Sequence, residues 1–327
     1  MPSQLPPIPL DSVGFTGSRL SRPECVLATR RGGLFTADNR GGIHHLPPSG
    51  EARIYAGAML DISGPLHPNG FALDQDGSFI VAHLALDSGG IFRLGRNGQV
   101  SPILREIDGV SLIATNFVLL DRLGRLWITV STRQVPRIEA FSPAVADGFI
   151  VLLDHGRPRI VADGLGFANE IRIDEDRRCL YAVETYAKRL TRFSLAADGT
   201  LGDRTVLTEF GAGEFPDGIA LDDEGAIWVA CIVANRLIRI TPDGARQVML
   251  DDSDAKHSAV VEQAYQAGRV EKAHIDQVQS RYLRNISSLA FGGDDLRTVY
   301  MGVLAGDRLP TVSSPLAGRP MVHWEWS

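Results

Sequence analysis

Nowhere does this 327-residue sequence hold the ~20 consecutive apolar residues that a membrane-spanning helix needs. It has no excess of positive charge either. Its 33 Lys and Arg against 39 Asp and Glu leave a formal charge of −6, which excludes the basic footprint of a nucleic-acid binder. Cysteine is scarce. Cys25, Cys179 and Cys231 are far apart, each in a strand-like context, so they read as buried thiols in a reducing compartment, with no disulfide framework. Residues 1–9 are proline-rich and lack a basic segment followed by an apolar one, so no signal peptide is expected and the cytoplasm is the expected location.

What the chain does have is one sentence written six times: a polar residue, a short apolar strand, an Asp/Gly turn and a second apolar strand. The clearest copy is Pro216-Asp217-Gly218-Ile219-Ala220-Leu221-Asp222-Asp223-Glu224-Gly225-Ala226-Ile227-Trp228-Val229-Ala230. Others open at Asn69-Gly70-Phe71, Asn116-Phe117-Val118 and Asn169-Glu170-Ile171, and weaker ones at Glu24-Cys25-Val26 and Ser287-Ser288-Leu289. Their spacings are 45, 47, 53, 48 and 70 residues. Multi-stranded units at such periods predict an all-β, six-bladed β-propeller, here one domain over 1–327. Turns such as Asn97-Gly98, Asp198-Gly199 and Asp243-Gly244 mark the third and fourth strands.

Two features depart from the repeat. Residues 254–282 carry no strand signal and read as two helical stretches, 255–267 and 270–278, broken near Gly268. This insertion before the last blade is expected to be a packed surface element or a lid over the channel mouth. Residues 320–326 read as a third strand lacking a fourth, which Val13-Gly14-Phe15-Thr16 would supply, so that the ring closes on itself and two sheet edges disappear.

The first strand of a propeller blade lies innermost, so the residues heading those strands converge at one mouth of the channel. Five of the six heads, Glu24, Asn69, Asn116, Asn169 and Asp217, carry a side-chain carboxylate or amide oxygen. Oxygen donors without thiol or imidazole suit a hard divalent cation such as Ca²⁺, Mg²⁺ or Mn²⁺. Asn and Asp also form turns before strands, and each head taken singly reads that way. Glu is not a favoured turn residue, and a buried, unpartnered Glu24 would be costly.

The 216–230 stretch and the column of heads resemble the senescence marker protein/gluconolactonase (regucalcin-like) family over residues 24–324, apart from the insertion. The resemblance implies one divalent ion, calcium foremost with Mg²⁺, Mn²⁺ or Zn²⁺ as alternatives, held by Glu24, Asn116, Asn169 and Asp217. It implies that Asp217 also orients or activates water. The sequence departs from the family where Cys25-Val26 follows Glu24 and Glu170 follows Asn169, and neither Ala114 nor Thr115 supplies a basic substrate contact. The same donor set is similar to the calcium centres of diisopropyl-fluorophosphatases and paraoxonases, which widens the chemistry to other esters.

The expected function is therefore metal-dependent hydrolysis of a small-molecule lactone or related ester. The expected substrate contacts are Asn69, Asn116, His83, Arg133 and Glu184, the last three from loops after second strands. His83 reads equally as a structural histidine. The alternatives are a metal-containing binding protein without turnover and an enzyme resembling strictosidine synthase.

Overall fold

The computed structural model describes residues 5–57 and 64–326. Six four-stranded antiparallel sheets follow one another as blades. The first strand of each is Val26–Ala28, Pro68–Leu73, Thr115–Leu120, Ala168–Asp174, Glu214–Leu221 and Ile286–Gly292. Each unit read from the sequence is the inner half of one blade. From the second blade to the sixth, neighbouring first strands pack on one another; the second blade's also packs on the first blade's second strand, Leu34–Asp38, and the first blade's first strand packs on the sixth's, which closes the ring.

Apolar side chains at alternate strand positions fill the gaps between blades, as a half-buried pleated sheet requires. Phe35, Phe71, Phe79, Phe149, Trp127 and Trp228 are almost wholly buried there. All three cysteines are buried and free.

The Asp that ends a first strand ties down the hairpin following it. Asp121 Oδ2 accepts from Trp127 Nε1 at 2.9 Å and from Arg125 Nε at 2.7 Å. Asp222 Oδ2 accepts from Trp228 Nε1 at 2.9 Å and from Arg239 Nε at 2.7 Å. Its Oδ1 accepts from the Ala226 backbone at 2.8 Å. The turn signal in the repeat is thus also a buried polar latch, which stays favourable because every group in it is paired.

The sixth blade corrects one expectation. Its third strand is Leu309–Ser313, not residues 320–326, and Gly14–Thr16 pairs with it as the fourth strand. Residues 320–326 instead cross the far end of the channel in turns. Trp324 and His323 are buried, and Trp324 O accepts from Arg30 N at 2.8 Å. This crossing, continued from Gly318, encloses a cavity of ≈ 370 Å³ with the tail ends of the first strands. The aromatic, apolar character of 320–326 reflects burial as a plug rather than pairing in a sheet.

The insertion is helical, with α1 at Ala255–Gln266 and α2 at Lys272–Asp276. Asp254 caps α1 by accepting from His257 N, and Gly268, at a φ of 62°, lets the chain turn after it. Val261 and Tyr265 of α1 and Ile275 of α2 join Phe167, Tyr186, Phe215 and Leu304 in one apolar cluster above the channel's head end. Lys188 Nζ and Glu262 Oε2 lock α1 to the fourth blade at 2.7 Å. No helix among the described residues is long and apolar enough to cross a membrane.

Candidate active site

Glu24, Asn69, Asn116, Asn169, Asp217 and Ser287 line one narrow pocket at the channel's head end, with Cys25, Gly70, Phe117 and Glu170. The backbone explains how they turn inward. In the second to sixth blades the antiparallel register slips at the head of the first strand, between Pro68 and Phe71, Thr115 and Phe117, Ala168 and Ile171, Pro216 and Ile219, and Ile286 and Ser288. Each head sits in its own slip. A bulge frees a residue from the ladder and re-aims its side chain, a device common beside functional sites. Gly218 serves the same end, because a Cβ there would stand 2.4 Å from Ser287 O in the next blade.

Hydrogen bonds set the amides. Asn69 Nδ2 donates to Asn116 O at 3.0 Å and to Asn116 Oδ1 at 3.3 Å. Asn169 Nδ2 donates to Thr185 Oγ1 at 3.0 Å, and Thr185 Oγ1 donates to Pro216 O at 2.8 Å. The heads of the fourth and fifth blades are thereby tied together.

Burial drives the Asp217 carboxyl well above the usual carboxylate range, and Glu24 and Glu170 push it the same way. Arg22 and a hydrogen bond with Asn169 oppose them. Burial also pushes Glu170 up to about 7, although Arg172 lies 3.0 Å from it. Crowded, desolvated carboxylates beside amide oxygens form a donor set that a hard cation would relieve. Among the described residues no three His, Cys, Asp or Glu side chains form a ligand cluster. A cation here would therefore depend on amide oxygens as well as carboxylates.

The other three expected contacts lie outside this pocket, at second-strand ends, where they stitch the fold. His83 is fully buried; its Nδ1 accepts from His67 N at 2.9 Å and its Nε2 lies 3.1 Å from Ser88 Oγ. Glu184 accepts from Gly166 N at 2.7 Å and pairs with Arg189 at 2.7 Å. Arg133 is forked onto Asp163 at 2.8 and 2.9 Å and lies over the Phe149 ring.

Sequence reasoning missed three charged neighbours. Glu170 was visible beside Asn169, and the bulge brings it into the pocket as well. Arg22 Nε pairs with Glu24 Oε2 at 2.9 Å. Arg137, on the short helix Arg137–Ala140 of the third blade's loop, feels the charges of Glu24 and Asp217, while burial lowers its guanidinium. Neither arginine lies in the repeat, so periodicity gave no signal for them.

Burial lowers the His83 imidazole to about 4 from its ordinary 6.5. The folded protein thus refuses a proton that the unfolded chain accepts. This contribution to stability is complete above pH 6.5 and is lost as pH falls towards 4. Urea unfolding of His83→Gln should lose less stability than the parent across that window, by on the order of 1–2 kcal/mol. Parallel pH profiles would contradict this reading.

Comparison with known proteins agrees with the ring of blades. A 6-deoxy-6-sulfogluconolactonase of Pseudomonas putida is 29% identical over 284 residues, 85% of this chain and 81% of that protein. The lactonase drp35 of Staphylococcus aureus (strain MW2) is 23% identical over 60% of each chain. Among solved structures, a gluconolactonase of Xanthomonas campestris superposes with a TM-score of 0.66 at 16% identity, covering 97% of this chain and 99% of the other. The calcium-binding protein regucalcin of Agrobacterium tumefaciens gives 0.65 at 18% identity, covering 97% and 96%. The family model for the SMP-30/gluconolactonase/LRE-like region matches residues 22–251, which include Glu24, Asn69, Asn116, Asn169 and Asp217, and the chain belongs to that family.

Proposed function

We propose that this protein hydrolyses a lactone or related ester at the channel mouth, with a divalent cation held by Glu24, Asn116, Asn169 and Asp217. The observation that carries this reading is the set of strand bulges turning heads from separate blades into one pocket. Relatives named as lactonases support the reaction class, and the neighbour named as calcium-binding supports calcium as the first ion to try. Bound there, the cation supplies Lewis-acid polarisation of the substrate carbonyl.

The chain's own residues do the rest. Asp217, as the carboxylate, accepts a proton from the attacking water as the water oxygen bonds to the carbonyl carbon. The ester C–O bond then breaks, and the proton passes to the departing alkoxide. Asn116 is fixed through its contact with Asn69, and Asn169 through Thr185. Preset dipoles need no reorganisation as charge develops. Asn69 and Asn116 are also the contacts within the pocket for the substrate's hydroxyl groups. The helical insertion acts as the lid, its Tyr265 hydroxyl donating to Tyr186 O above the mouth.

The test is hydrolysis by chelated protein with Ca²⁺, Mg²⁺, Mn²⁺ or Zn²⁺ restored singly, over sugar lactones, aliphatic lactones and aryl esters. Turnover should vanish on chelation and return with at least one ion. Tight cation binding without turnover on any substrate would replace the hydrolase with a binding protein, and turnover that survives chelation would remove the cation.

A further inference from the structure

Beside the mouth lies a second concavity, a cleft of ≈ 670 Å³ between residues 20–22, 281–284 and 304–310. Four arginines line it, Arg22, Arg281, Arg284 and Arg308, against one carboxylate, Asp307. On a chain of formal charge −6 this local excess of cations is against the trend. Arg308 stands 3.7 Å from Asp307 and over the Phe15 ring. Arg281 lies over the Tyr282 ring. Neither Arg281 nor Arg284 has a carboxylate partner among the described residues.

The cleft and the mouth share a wall. Arg22 lines the cleft and also pairs with Glu24 of the pocket. Leu304 lines the cleft and belongs to the apolar cluster above the mouth. Arg137 adds a cation from the third blade's loop. The mouth presents the carboxylates Glu24, Glu170 and Asp217, whereas the cleft offers guanidinium groups to an anionic part of a substrate. A guanidinium presents a planar fork of donors suited to sulfonate, phosphate or carboxylate oxygens.

We propose that this cleft seats an oxyanionic group carried by the substrate while the ester carbonyl lies at the mouth, so that the protein selects lactones bearing a sulfonate, phosphate or carboxylate. The substrate part of this inference rests on the hydrolase reading; the anion seat is measurable without it. Sulfate is the probe, titrated calorimetrically into the whole protein at constant ionic strength. Binding should be saturable and should weaken roughly tenfold in Arg281→Gln and in Arg284→Gln, each having lost one charged hydrogen-bond donor. Both residues are exposed, so the fold tolerates the change. For two lactones differing only in a phosphate group, each variant should lower the ratio of kcat/KM values, charged over uncharged, by a similar factor, and Arg284→Lys should restore part of it.

Sulfate that does not saturate, or that binds both variants as well as the parent, overturns the seat. Lactone hydrolysis with no preference for the charged member overturns the selectivity. Sulfate binding with no lactone turnover supports the seat and removes the hydrolase reading alone, so the two failures are distinguishable.

Discussion

Asp217→Asn should lower lactone turnover by about a thousandfold or more and leave the propeller folded. The substitution changes one atom in a side chain that is 6% exposed, so packing survives. It removes the proposed proton acceptor for water and one of two carboxylates that would offset the proposed cation. Stability should not fall in the absence of metal, because Glu24 and Glu170 oppose the charge that Asn removes. Steady-state kinetics with saturating cation, calorimetric cation titration and a thermal melt together decide the point. Near-normal turnover would take Asp217 out of the mechanism. A collapsed melt would show that its role is structural.

The second large effect is on stability and lies at the other end of the same strand. Asp222→Ala should cost about 3–5 kcal/mol, the range expected when one partner of a buried ion pair is removed. Arg239 is 3% exposed and would be left with a single solvent-facing partner, Glu224, at 2.6 Å. Trp228 Nε1 and Ala226 N would lose their acceptors as well. Glu224→Ala is the control: Glu224 is half exposed, so its removal should cost under about 1 kcal/mol. Urea denaturation of both variants measures the difference. Equal costs would mean that the latch is no more than a surface pair.

Much of this molecule was legible because its physics repeats. Alternating apolar runs broken by Asp-Gly or Asn-Gly turns recur at each blade, and a ring of blades must bring equivalent positions to one axis. Asn116, Asn169 and Asp217 were therefore visible as a set before their geometry was known. The bulges were not visible. A polar residue before an apolar run is written the same way whether it forms a turn or sits in a slipped strand, and only the pairing of the neighbouring strand separates the two. His83, Glu184 and Arg133 show the converse difficulty. A polar side chain at a second-strand end faces the site's side of the ring in any propeller, but here Gly166 N, His67 N and Asp163 already use it. Leu309–Ser313 was harder to read as a strand than residues 320–326. Pro310 weakens the true strand's pattern, while a plug and a strand bury side chains equally well.

The sixth blade joins Gly14–Thr16 to Leu309–Ser313, strands nearly three hundred residues apart in sequence. That pairing has a consequence for biosynthesis. While the ribosome is still making the last blade, Glu24 has no Ser287 to hold its backbone oxygen, a contact of 2.8 Å in the closed ring. Loop closure over so long a span comes late, after local hairpins have formed. The nascent chain therefore carries five blades with an open edge and an unfinished mouth, and catalytic competence arrives only with the final strand.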